Sequence, residues 1–383
     1  MKQNRIVYLD NAATGFPKPR AVTAEVDRCL REYCGNAGRS SHRLALRAAE
    51  KIYECREQAA SLFGLDTPEG IVFTMNTTYA LNMLIKGLLH EGDHVLISDM
   101  EHNSVLRPLH RLAEEGRIEY SIFSTESLWK STSGKALCAE IQMKIRPNTR
   151  LLLCTHASNI CSLTLPLREI GALCRRHGIF FAVDAAQSAG HAEIDMKALG
   201  IDALCAPAHK GLCGVQGVGL LALREAQELN TLVEGGNGMY SLEANMPNEL
   251  PERLEAGTLP TPAIAGLCEG IRFVRSTGCE TIGARERALY RDLRERLEDL
   301  GGTHVYLPEK EGAILLFSVE GKGSEAVAGS LAERGICVRG RYHCEVLGHK
   351  TLGTPAGGAV RVSLGHSNTK ADLDALWREL KRL

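Results

Sequence analysis

Residues 180–219 read FFAVDAAQSAGHAEIDMKALGIDALCAPAHKGLCGVQGVG. An apolar run, 179–183, ends on Asp184. A small-residue turn and a short amphipathic segment follow. A second apolar run, 203–206, then arrives at His209 and Lys210, with Gly211, Gly214, Gly217 and Gly219 behind them. An acid at the end of a buried strand costs free energy unless it meets a partner. A lysine just past a neighbouring strand has the same need. Two opposite charges at adjacent strand ends, beside a glycine-rich turn, read as a site rather than a piece of core.

The same grammar repeats on either side. Apolar runs at 71–74, 94–98, 118–123, 151–155 and 220–223 have strand length, and helical patterns lie near 20, at 44–62, 79–89, 136–144 and 167–177. Strand, polar loop and helix in succession predict an α/β fold, with a mainly parallel seven-stranded sheet covered by helices on both faces. Ligands in such sheets sit beyond the C-terminal strand ends. Thr77, His102, Asn159, Asp184 and Gln187 all fall there. Thr77 or Thr78 is the expected N-cap of the helix after the first of these strands, and the same place suits a phosphate. The loop 35–42, with Arg39, and the polar segment 125–135 are expected at the surface.

The stretch 235–262 is rich in Gly, Pro and Asn and marks the expected change of domain. The division is a large cofactor-binding domain, 18–256, and a smaller α+β domain, 257–383, joined by the N-terminal arm 1–17. Helices are expected at 263–277, 281–299, 324–334 and 369–381, and strands at 313–319 and 359–363.

Composition sets the outer limits. With 45 Lys+Arg against 46 Asp+Glu the formal net charge is -1, which points away from nucleic acid and membrane surfaces. No apolar run has the length of a membrane span and no signal-peptide core opens the chain, so a cytoplasmic protein is expected. The 13 cysteines are odd in number and contain no CxxC pair, which supports neither a disulfide framework nor a metal site. Most are expected inside as small hydrophobes in a reducing compartment.

The strand-end residues suit one cofactor chemistry. A lysine that bonds covalently to a carbonyl must be neutral, and desolvation lowers its pKa. A pyridoxal 5'-phosphate (PLP) site needs such a lysine and an acid for the pyridine nitrogen. It also needs a phosphate cradle and a group to pack on the ring. Lys210, Asp184, Thr77 with Thr78, and His102 fit these roles. Gln187 and Asn159 are placed to reach the phenolic oxygen. Each also has a plainer reading: a surface lysine, a capping Asp, a satisfied histidine. The plain readings must all hold at once to remove the site.

Together, YLDNAAT (8–14), NTTYALN (76–82), EHNS (101–104), HASN (156–159), VDAAQ (183–187), HKG (209–211), EAGT (255–258), RYHC (341–344) and VRVS (360–363) resemble the cysteine desulfurase group of class V, fold-type I PLP enzymes. The resemblance spans nearly the whole chain. It implies that Lys210 is the Schiff-base lysine, that Asp184 meets the pyridine nitrogen and that His102 stacks on the ring and assists catalysis. It implies that Gln187 and Asn159 contact the phenolic oxygen and that Thr77, Thr78 and His209 bind phosphate. Thr258 is implied to reach the neighbouring subunit's phosphate, hence a homodimer with shared sites. Cys344 falls at the cysteine that takes sulfur from the substrate as a persulfide for a sulfur-acceptor protein. Arg339, Arg341 and His343 are expected to favour its thiolate. Arg361 is implied to clamp the α-carboxylate of L-cysteine or a related amino acid, with Asn159, Ala13 and Arg339 completing the substrate side. Two positions depart from the family pattern: Pro207 where a hydroxyl residue is usual, and Arg341 where glycine is common. The expected reaction is L-cysteine to L-alanine with sulfur left on Cys344. The alternatives are a selenocysteine lyase, a β-eliminating C–S lyase, and a non-catalytic thiol scaffold.

Overall fold

The computed structural model describes residues 6–38, 40–129, 133–225 and 229–383. Arg39, residues 130–132 and the first five residues of the expected N-terminal arm lie outside them. The apolar runs form strands in chain order: β1 (Val7–Tyr8), β2 (Ile71–Thr74), β3 (Asp93–Ser98), β4 (Ile118–Phe123), β5 (Thr149–Thr155), β6 (Phe180–Asp184), β7 (Ala203–Pro207), β8 (Gly219–Leu223), β9 (Thr303–Val305), β10 (Ile314–Val319), β11 (Ile336–Cys337) and β12 (Val360–Ser363). Seven make one sheet in the order β2-β8-β7-β6-β5-β3-β4, all parallel except β8, which runs against both neighbours. The register pairs Thr155 with Asp184 and Asp184 with Cys205, so the polar groups that end these strands emerge side by side.

Alternation along β6 shows why these strands are apolar throughout. Phe181 and Val183 enter the core lined by Ile52, Phe63, Ile170 and Leu173 from helices Arg43–Phe63 and Leu167–His177. Phe180 and Ala182 enter the opposite core, lined by Leu81, Leu84, Val105 and Leu109 from helices Thr77–Leu88 and Asn103–Glu114. A strand covered on both faces has no position for a polar side chain except its ends.

A three-stranded antiparallel sheet, β12-β10-β9, packs with helices Cys279–Glu298 and Lys370–Leu380 around a separate core containing Phe317, Val362, Leu293 and Leu376. β1 pairs in parallel with β11, which ties the arm to this layer. The arm then crosses to the large sheet: Ala12 N donates to Ser363 Oγ (2.9 Å), and Gln187 Nε2 donates to the Ala12 carbonyl (3.1 Å).

Three expectations change. Helix Thr261–Thr277, placed by composition in the smaller domain, packs Ile264, Leu267 and Ile271 into the large-sheet core. The helix at Thr77 is capped by Asn76, whose Oδ1 accepts from Tyr79 N (2.9 Å), which leaves both threonine hydroxyls for other partners. Thr125, expected at the surface, is buried and donates from N and Oγ1 to Asp99 Oδ1 (3.1 and 2.8 Å).

Candidate active site

Two strand-end turns form the floor of one cleft. β6 ends on buried Asp184, whose Oδ1 accepts from Ala186 N (2.9 Å). Burial pushes this carboxyl above its ordinary range, against the pull of the Ala186 N–H and Lys210. β7 ends in a turn closed by Gly214 N to Ala208 O (2.8 Å) and Cys213 N to Lys210 O (2.9 Å). Lys210 stands on it with its pKa lowered to about 8, chiefly by burial. Asp184 opposes that shift, while Arg361 and Arg339 add to it. The turn is fixed by backbone stacked on backbone. A Cβ on Gly211 would stand 2.3 Å from Ala189 O, and one on Gly190 2.2 Å from Gly211 O.

The wall is built by two helix starts. His102 caps helix Asn103–Glu114, its Nδ1 accepting from Ser104 N (3.1 Å). Ser104 Oγ also bridges His102 Nδ1 (2.9 Å) and Thr78 Oγ1 (2.7 Å). Burial, then Lys210 and Arg339, lower His102 to about 4, so the ring is neutral near pH 7. His209 is likewise lowered to about 4, by burial first and Lys210 second. Thr77 Oγ1 and His209 Nδ1 are buried with no hydrogen-bond partner among the described residues. Orphaned buried polar atoms are uncommon, and in a cleft they are free to be satisfied by a water or a ligand.

Thr77, Thr78, His102, Asn159, Asp184, Gln187, His209 and Lys210 all line this cleft of about 520 Å³, as do Ser104 and Pro207. Ala13, Thr258, Arg339, Cys344 and Arg361 do not. Thr258 is exposed, three residues past Glu255, which forms a buried pair with Arg56. Arg361 is buried and engaged, donating to Asp10 Oδ1 (2.7 Å) and to the Asn159 carbonyl (2.8 Å), while its Nε has no partner among the described residues. Asn159 Nδ2 is turned to the His343 carbonyl (2.9 Å), and Gln187 Nε2 to Ala12 as described, so neither amide nitrogen is free in this geometry.

Cys344 is one of two exposed cysteines, with Cys34; nine of the others are buried. Its loop holds positive φ at Arg341 (74°), His343 (51°) and Cys344 (60°). The expected cationic setting is thinner than the sequence suggested. Arg339 lies 3.9 Å from Cys344 Sγ, but Arg341 pairs outward with Glu325 (2.5 Å). His343 is buried and neutral, lowered to about 2 by burial first and Arg361 second. Its Nε2–H donates to the Arg339 carbonyl (3.1 Å), and its Nδ1 meets His349 Nε2 (3.0 Å).

Four residues within or next to the quoted motifs were given no role from the sequence. Ser104 provides a hydroxyl across the cleft from Pro207. Glu101 is fully buried, accepts from Thr155 N (2.9 Å) and from Ser98 Oγ, and is raised to about 8 by burial. Ser158 and Glu345 meet behind Cys344. No cluster of metal-ligating side chains occurs among the described residues.

A model of the class-V aminotransferase family matches residues 7–376. A probable cysteine desulfurase of Methanothermobacter thermautotrophicus is 32% identical over 385 residues, covering 98% of this chain and 94% of the relative. A cysteine desulfurase of Salmonella agona is 31% identical over 388 residues, covering 99% and 93%. Among solved structures, an apo cysteine desulfurase of Thermococcus onnurineus matches with a TM-score of 0.89 at 30% identity, over 98% of this chain and 94% of that one. A cysteine desulfurase of Escherichia coli matches at 0.88 and 25%, again over 98% and 94%.

Proposed function

The chain belongs to the class-V aminotransferase family, and within it we propose that it is a PLP-dependent cysteine desulfurase converting L-cysteine to L-alanine. The observation that carries this reading is a single juxtaposition. A cleft with a depressed lysine, a buried acid and two orphaned polar atoms is hydrogen-bonded through Asn159 to the loop that exposes Cys344.

The residues present fit the cofactor. Thr77 Oγ1, at a helix N-terminus, and His209 Nδ1, in the turn after β7, lack partners that phosphate oxygens would supply. Thr78 and Ser104 add hydroxyls, which offsets Pro207. Asp184 is an acid whose burial disfavours its charge until a cationic ring nitrogen faces it. When bound, PLP supplies the electron sink that stabilises charge developing at the substrate α-carbon. Lys210, lowered to about 8, is neutral in about a tenth of molecules at pH 7, far more than an ordinary lysine, so Nζ has the lone pair for covalent attachment and for carrying a proton. His102 stays uncharged and packs as a flat ring.

Arg361 is assigned the α-carboxylate, exchanging Asp10 for it, with its unpartnered Nε as a further donor. Asn159, Ala13 and Arg339 are assigned to the same side. Cys344 Sγ, as thiolate beside Arg339, attacks the substrate sulfur. The new S–S bond forms as the C–S bond breaks, and the electron pair left on carbon takes a proton to give alanine. The products are alanine and a persulfide on Cys344, whose exposure suits hand-over to an acceptor protein.

We propose a homodimer as well; its support is that Thr258 is exposed and outside its own cleft and that Met239, Tyr240 and Leu242 are exposed on the preceding segment. Thirteen free thiols suit a reducing cytoplasm. No helix among the described residues is long and apolar enough to cross a membrane.

The test is to incubate holoenzyme with L-cysteine and follow alanine and the mass of the Cys344 peptide. Alanine in step with a one-sulfur mass gain is expected, and C344S should abolish both. Pyruvate and ammonia that persist in C344S would replace this reading with a β-eliminating lyase.

A further inference from the structure

We propose that Glu345 is a positioning residue for Cys344: its carboxyl, seated on the Ser158–Asn159 turn, clasps the thiol-bearing loop to the cofactor cleft. The proposal rests on the desulfurase reading of Cys344 and adds to it a residue that no motif identifies.

The chain alternates sharply at this point. Cys344 is exposed, while Glu345 has no exposed surface at all. Ser158 Oγ lies 3.2 and 3.4 Å from the two carboxyl oxygens, and the Asn159 backbone N–H donates to the same group. The carboxyl fills the space above Gly348, where a Cβ would come within 2.1 Å of Glu345 Oε1. Two further ties run to the same wall of the cleft. Asn159 Nδ2 donates to the His343 carbonyl (2.9 Å), and Asn103 N donates to the Cys344 carbonyl (2.9 Å). Asn159 and Asn103 adjoin Ser158 and His102, so the loop is docked on two of the turns that build the cleft.

Such docking is needed. Arg341, His343 and Cys344 hold φ values of 74°, 51° and 60°, a region that L residues keep only when their surroundings over-determine it. Released, the loop relaxes and the sulfur moves off its line of attack. No cation among the described residues pairs with Glu345, because the nearby Arg361 is committed to Asp10 and the Asn159 carbonyl. Burial accordingly pushes the Glu345 carboxyl above its ordinary range, against the pull of Ser158 and the Asn159 N–H, so its seat is built from shape and neutral hydrogen-bonding groups rather than from an ion pair. A glutamine is therefore its matched replacement and an alanine is not.

The experiment uses holoenzyme carrying E345Q, E345A or S158A. Three quantities are read: the cofactor's spectral response to L-cysteine, single-turnover persulfide formation on Cys344, and amide hydrogen exchange across residues 339–346. E345A should keep the spectral response, slow persulfide formation by at least about tenfold, and speed exchange in the loop. E345Q should stay within about threefold of wild type, the scale of one retained neutral hydrogen bond. S158A should move the same way less far, and adding it to E345A should change little, since both open one clasp. S158A also decides the matter if E345A fails to fold. Unchanged exchange and persulfide formation in E345A overturn the proposal. So does E345Q as slow as E345A, which would make the carboxyl itself a reactant. A parallel loss of spectral response and thermal stability would reduce Glu345 to a folding residue and also overturn it. If wild type forms no persulfide, the desulfurase reading fails, and loop exchange still judges the clasp.

Discussion

Glu101 and His102 are adjacent in sequence and opposite in their demand for protons. Glu101 is raised from 4.5 to about 8 by burial, so its contribution to stability is fully present below pH 4.5 and is lost as pH rises through 8. His102 is depressed from 6.5 to about 4, so its contribution is present above pH 6.5 and is lost as pH falls through 4. At pH 6.5 the histidine is still half charged in the unfolded chain; from about pH 7.5 upward it is neutral in both states, and only the acid of this pair is linked to pH. Each such proton changes stability by about 1.4 kcal/mol per pH unit. Glu101→Gln should therefore flatten the fall of unfolding free energy between pH 6.5 and 8 by up to about that slope, measured by urea denaturation. A variant that tracks wild type would mean that Glu101 is already ionised at neutral pH. The same pair shows what a sequence discloses at this scale. Asp184, Lys210, His102 and His209 were legible because an ionisable residue at the end of an apolar run is an anomaly. Glu101 and Ser104 flank His102, Ser158 adjoins Asn159 and Glu345 adjoins Cys344, and no one-dimensional pattern says which of two neighbouring polar residues turns inward.

At the scale of elements, Lys210 is held by two loops that touch through glycine backbone. A Cβ at Gly211 would stand 2.3 Å from Ala189 O and 2.5 Å from the His191 ring, so Gly211→Ala must part the loops after β6 and β7. It should cost about 1–3 kcal/mol of stability and lower the cofactor's visible absorbance per chain, because Lys210 and Asp184 shift relative to each other. Gly329→Ala is the control. Gly329 lies inside helix Ser324–Glu333 with nothing within 4 Å of its added Cβ, and the change should be neutral or stabilising by up to about 1 kcal/mol. Thermal melts and an absorbance spectrum separate the two outcomes. Equal effects at both positions would show that the close approach does not fix the lysine. The seven long strands were readable because four or more apolar residues bounded by turn signals carry a period and a length. Val7–Tyr8, Thr303–Val305, Ile336–Cys337 and helix Val346–Thr351 were not. Two to six residues hold too little pattern, and these elements exist through the partners they meet. The cap at Asn76 was missed for a related reason: Asn, Thr and Thr in succession are all good caps, and only the helix's final register chooses among them.

For the whole molecule, composition put the domain change near the Gly- and Pro-rich stretch, whereas the helix that follows it, Thr261–Thr277, packs into the large-sheet core. Loop composition records where the chain is irregular, not which core the next helix joins. The same stretch bears on assembly. Met239, Tyr240 and Leu242 are 46%, 49% and 104% exposed, and Met239 lines a groove with Tyr53 and Leu250 beside Gly257. Large apolar side chains gathered this way on one segment are expected to be covered by a partner, and a two-fold dimer would bring Thr258 of each subunit toward the other's cleft. Leu242→Asp combined with Tyr240→Asp should yield monomers by sedimentation velocity and weaken PLP retention. Subunit mixing tests the sharing itself. Lys210→Ala chains are inactive. Thr258→Ala chains should bind PLP about tenfold more weakly, the scale of one lost hydrogen bond to a charged group. In a heterodimer of the two, a shared site joins Lys210 of one chain to Thr258 of the other, so one site is fully native and the other carries both changes. Random re-pairing of equal amounts makes half the dimers mixed, and about a quarter of wild-type sites should recover native affinity at limiting PLP. If Thr258 served its own subunit, no re-paired dimer would contain a native site, and the mixture would bind PLP no better than its Thr258→Ala component.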